Sequence, residues 1–81
     1  DLLCEVQTLC DLEAVTRALY LAEHRLSFRL DGEIRFPNGD AVNWREAAAA
    51  LDHVETREVL VKNERGIHMT TLDQILEMAH G

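Results

Sequence analysis

Eighty-one residues, 47% hydrophobic and 28% charged, describe one globular domain near the lower limit for a single hydrophobic core, a size at which oligomerisation is a common source of extra stability. A formal charge of −7, one Lys and seven Arg interspersed with acids disfavour nucleic-acid binding, which needs a clustered basic surface. No apolar run reaches the roughly 18 residues of a membrane span, and the first residues lack the basic flank and apolar stretch of a signal peptide.

The first 26 residues read as helical. Leu12, Val15, Leu19, Ala22 and Leu26 fall on one stripe, and Asp11 is a fair N-cap for it. Upstream, Leu2, Val6, Leu9 and Cys10 also recur at helical spacing, but their face points roughly opposite to the later one. That phase jump has two solutions: a break near Asp11, which is preferred, or one long helix whose first half packs against a second copy of the chain. The second solution makes Leu2, Val6 and Leu9 a homodimer contact.

Residues 27–42 read as a meander. Phe28, Leu30, Ile34 and Phe36 alternate with Arg29 and Arg35 around Asp31-Gly32-Glu33, and a three-residue loop pairs Leu30 with Ile34 and Phe28 with Phe36 on one face. Pro37-Asn38-Gly39 then supplies a second turn, returning Asp40 to Val42 beside Ile34 and Phe36.

Two capping-box patterns follow, Asn43-Trp44-Arg45-Glu46 and Thr71-Leu72-Asp73-Gln74, each heading a helix with the same apolar spacing. Trp44, Ala47, Ala48 and Leu51 match Leu72, Ile75, Leu76 and Ala79, so helices are predicted over 44–52 and 71–80. Between them, residues 57–69 read as a hairpin turning at Asn63-Glu64-Arg65-Gly66. The expected fold is α+β: an N-terminal helical region, then an antiparallel sheet of about five strands with two short capped helices packed on it, all in one domain over residues 1–81.

Motifs for chemistry are scarce. Ser27 has no nucleophile elbow, the four glycines are isolated at turns or the terminus, and His53-Val54-Glu55 lacks the paired cysteines of a zinc deaminase. Cys4 and Cys10 cannot bridge within one straight helix, and two thiols outside any framework suggest a reducing, cytoplasmic compartment. No metal or other cofactor is implied. Only residues 57–69 carry net positive charge, which singles out Arg57, Lys62 and Arg65 as a partner-binding spot beside Leu2, Val6 and Leu9.

These features favour a small acidic, non-catalytic protein-binding or regulatory module over an enzyme, one form of it being an inhibitor of a basic or nucleic-acid-binding partner. The alternatives are a homo-oligomerising structural domain of a larger protein, a winged-helix-like DNA-binding domain with its wing at 57–69, and a thiol-dependent enzyme using Cys4 or Cys10.

Overall fold

The computed structural model describes residues 2–27, 29–52 and 58–80. Its elements in chain order are β1 (Leu2–Glu5), α1 (Leu9–Leu26), β2 (Gly32–Arg35), β3 (Ala41–Asn43), α2 (Trp44–Asp52), β4 (Glu58–Asn63), β5 (Gly66–Thr71) and α3 (Leu72–His80). The strands form one five-stranded sheet in sequence order. The α+β class, a count of five strands and the two short capped helices are as the sequence indicates, although the five strands are not the five expected.

The N-terminal segment differs from expectation. Residues 2–5 are a strand that pairs in parallel with β2, Leu2 opposite Gly32 and Cys4 opposite Ile34, so the sheet is mixed and not wholly antiparallel. The phase jump marks a change of period from two to 3.6, not a kink between helices. Val6 N donates to Arg35 O at 3.0 Å and extends the pairing beyond the strand. Leu2, Leu3, Cys4 and Glu5 are too short a run to fix a period, and a partner thirty residues away decides between them.

The helix break also moves. Thr8, in an extended conformation, caps α1, its Oγ1 accepting from Asp11 N at 3.1 Å while Asp11 Oδ2 accepts from Gln7 N at 3.2 Å. Asp11 is therefore the third helical residue of a reciprocal cap and not the cap itself. At the other end Ser27 adopts a left-handed conformation (φ 58°) and donates its N–H to Glu23 O, closing the helix where His24 and Arg25 complement the dipole.

The hairpin expected between residues 28–30 and 34–36 does not form. Phe28 lies outside the described residues, and Leu30 has its backbone bonded to side chains of α1 and α2, so it joins no ladder. The place beside β2 is taken by β1. The second turn is as read: Gly39, at φ 94°, donates to Phe36 O at 3.0 Å, Phe36 N donates to Asp40 O, and Ile34 faces Val42.

One side of the sheet carries the core. Ile34, Phe36, Val42, Val59 and Val61 are buried there with Leu12 of α1, Trp44 and Ala47 of α2, and Leu72 and Ile75 of α3. Trp44 is the anchor, with 1% exposure, an edge contact to Tyr20 at 5.1 Å between centroids and the Arg45 guanidinium 4.6 Å above its ring. Both expected caps are present. Asn43 Oδ1 accepts from Arg45 N and Glu46 N, and Thr71 Oγ1 accepts from Gln74 N. Glu46 does not reach back to its cap; its Oε1 takes Leu60 N at 2.6 Å and ties α2 to β4.

Candidate functional site

Strand alternation sends every second residue to the side opposite the core. Directly opposed residues share a face, so the pairings Glu5–Arg35, Arg35–Ala41, Ala41–Lys62 and Lys62–Ile67 lay one row across all five strands on that side. The next row includes Leu3 and Glu33, with Leu60 and Met69 at the far end. Leu3, Ile67 and Met69 are exposed, as are Glu5, Arg35 and Lys62. This face is chemically mixed, with acids and cations at β1, β2 and β4 and exposed apolar side chains at Leu3 of β1 and at Ile67 and Met69 of β5.

At the end of the sheet where both hairpins turn, the face runs into an open groove of about 1070 Å³. Glu33, Arg35, Ala41 and Lys62 line it from the open side, while His68 and Thr70 of β5 and Met78 of α3 line it from the other. The two turns are braced by Asp40, whose side chain sits between them and leaves the residue 8% exposed. Its Oδ2 accepts from Asn38 Nδ2 and its Oδ1 from Asn63 Nδ2, both at 3.0 Å. Each Asn is fixed in turn, Asn38 Oδ1 accepting from Asp40 N at 3.1 Å and Asn63 Oδ1 from Arg65 N at 2.8 Å. A carboxylate accepting on both oxygens thus locks one hairpin tip to the other.

A second constellation sets the start of β2. Glu23 of α1 pairs with Arg45 of α2 through both guanidinium nitrogens and accepts Leu30 N at 2.7 Å. Leu30 O accepts from Trp44 Nε1 and Arg45 Nη2, each at 3.1 Å. Both polar groups of one backbone residue are thereby gripped from two helices, two positions before the strand that carries Glu33 and Arg35. The Arg45 hydrogen bond, helped by Leu30 N–H, lowers the Glu23 carboxyl to a pKa of about 2. The same pairing raises Arg45 further above its ordinary value.

Of the residues singled out in the sequence, Lys62 and Arg65 meet at this groove. Arg57 lies outside the described residues, as do His53, Val54 and Glu55. Leu2 opens β1, whereas Val6, 1% exposed, and Leu9 pack into the chain's own core. Cys4 and Cys10 are free thiols. Among the described residues no three His, Cys, Asp or Glu side chains converge as metal ligands. No helix among them is long and apolar enough to cross a membrane. Sequence reading missed Arg35, Ala41 and Asp40. The alternation of Arg35 with Ile34 and Phe36 placed its side chain away from the core, but only the register sets it beside Ala41 and Lys62.

Residues 1–73 match the family model described as the phosphoribosyl-dephospho-CoA transferase MdcG C-terminal domain, and the chain belongs to that family. Among its curated relatives is a phosphoribosyl-dephospho-CoA transferase of Xanthomonas campestris pv. campestris strain 8004, 39% identical over 69 residues, which are 85% of this chain and 30% of the relative. A protein of the same name from Xanthomonas axonopodis pv. citri strain 306 is 38% identical over 65 residues, 80% of this chain and 28% of the relative. The chain therefore spans about 30% of the length of the curated relatives it matches. No solved structure gives a significant match.

These relationships overturn the reading of a non-catalytic regulator or inhibitor. The family is that of a transferase, an enzyme, and the match covers nearly the whole chain. The physical reason is that the lack of a compact motif does not exclude catalysis, since a site assembled from side chains on several strands leaves no contiguous signature.

Proposed function

We propose that this chain is a working part of a transferase that handles phosphoribosyl-dephospho-CoA, with its open sheet face and hairpin groove forming part of the site for that molecule. The observation that carries the reading is the 39% identity over 69 residues to the Xanthomonas campestris enzyme of that name. The chemistry of the face supports it. A phosphoribosyl-dephospho-CoA presents phosphate groups and sugar hydroxyls, and the face offers Arg35 and Lys62 to the former and Glu33 to the latter. The setting in this reading is the reducing cytoplasm, supported by the two unpaired thiols.

A chimera tests it. The matching 69 residues of the Xanthomonas campestris enzyme are replaced by those of this chain, and transfer of a radiolabelled phosphoribosyl-dephospho-CoA group, supplied on a donor that bears it with a leaving group, is followed in an extract of the source organism depleted of the parent enzyme. Transfer at a rate within about tenfold of the parent is expected, a window that allows for a barrier change of about 1.4 kcal/mol from imperfect junctions. A folded chimera without transfer would remove the reading.

A further inference from the structure

We propose that Arg35 and Lys62, standing on either side of Ala41 on the open face, form a phosphate-binding notch with Glu33 beside it for a sugar hydroxyl, a subsite for a phosphorylated ribose. The inference rests on the transferase reading only for the identity of the whole substrate; the notch itself is argued from register and charge.

Arg35, Ala41 and Lys62 are successive partners across three adjacent strands. Two strand spacings put the Arg35 and Lys62 backbones roughly 10 Å apart, a gap that two long side chains can close around one phosphate. Ala41, itself buried at 7% exposure, is the smallest side chain of that row and puts no bulky group between the two cations. Neither cation has an ion-pair partner among the described residues, where the Glu23–Arg45 pair takes the other well-placed guanidinium. The gap is held at fixed width, because Asp40 follows the β2 turn, Asn63 follows Lys62, and their side chains are bonded to each other.

The neighbours of the notch decide what kind of phosphate it takes. Glu5 lies opposite Arg35, and Glu33 lies two residues before Arg35 on the same face, so a bare polyanion meets two carboxylates as well as two cations. A phosphate carried on a ribose resolves this conflict. Its charge goes to Arg35 and Lys62, and its vicinal hydroxyls donate to the carboxylate of Glu33. The pantetheine arm of a coenzyme A, uncharged and without vicinal hydroxyls, offers nothing to the charges of Arg35, Lys62 and Glu33.

Titration of the isotopically labelled chain with ribose 5-phosphate, inorganic phosphate and pantetheine, followed by amide chemical shifts, tests the proposal. Ribose 5-phosphate should saturate, with shifts centred on residues 33–35, 41 and 62, and bind about tenfold more tightly than inorganic phosphate. Arg35→Gln and Lys62→Gln should each weaken it about tenfold, Glu33→Gln should weaken ribose 5-phosphate and not inorganic phosphate, and Arg17→Gln on α1 should change nothing. Far-ultraviolet circular dichroism establishes that each variant is folded. The proposal is overturned if ribose 5-phosphate does not saturate, if the two cation variants bind as the parent does, or if pantetheine shifts the same amides. Should the chimera fail while the notch binds, the transferase reading falls and the subsite stands; the reverse result removes the subsite alone.

Discussion

Replacing Asp40 by Ala strikes the brace between the two hairpins and gives the structure a quantitative test. The substitution deletes two hydrogen bonds, from Asn38 and from Asn63, to a carboxylate that is 8% exposed. A hydrogen bond to a charged acceptor contributes about 1.5–3 kcal/mol. Asn38 is exposed and can rehydrate, which places the expected loss at about 2–4 kcal/mol. A domain of this length has a total stability of roughly 4–12 kcal/mol, so the variant should remain folded at low temperature. The melting temperature should nevertheless drop by about 10–25 °C. Asp40→Asn should recover little of this, because an amide accepts on one oxygen only and turns its own N–H donors towards a second amide. The decisive assay is a double-mutant cycle with Asn63→Ala in urea denaturation. If the Asp40–Asn63 bond couples the hairpins, the two losses should fall short of additive by about 1–2 kcal/mol, whereas additivity within about 0.5 kcal/mol would refute the brace.

Thr8→Ala should cost about 1 kcal/mol by urea denaturation, since it removes the acceptor for Asp11 N, and an unchanged midpoint would move the start of α1 elsewhere. Leu72→Ala, at a fully buried position between β5 and α3, should cost about 2–5 kcal/mol with an unchanged urea m-value. For Glu23 the sign follows from a carboxyl held at about 2 in the folded chain against an ordinary 4.5. Its contribution is present above the unfolded value and is lost as the pH falls through the folded one. The stability difference between the parent and Glu23→Gln should therefore be constant from neutral pH down to about 5 and shrink towards pH 2. A difference independent of pH over that window would mean that the pairing with Arg45 does not set the Glu23 proton affinity.

Much of the scaffold could be read locally. Asn43 and Thr71 cap the helices they were expected to cap, and Pro37-Asn38-Gly39 turns the chain as its residue types dictate, because a cap or a tight turn is decided by neighbours within four residues. What depended on distant partners could not. Leu2 to Glu5 became a strand because β2 is there to pair with, and Leu30 left the ladder because three side chains from two helices satisfy its backbone. The candidate site divides the same way. Lys62 and Arg65 stood out as the cations of the only positive segment, while Arg35, Ala41 and Asp40 acquire meaning only through register, which single-sequence periodicity does not fix between short strands. The family is legible through kinship alone, since no residue spacing in the chain announces transfer chemistry.

The most direct test of the transferase account is a chemical-shift footprint of intact phosphoribosyl-dephospho-CoA on the labelled chain. Shifts concentrated at Glu33, Arg35, Ala41 and Lys62, and reduced in the Arg35→Gln and Lys62→Gln variants, are the predicted result. Shifts confined to the α1–α2 side of the sheet, or no saturable shifts at all, would contradict it.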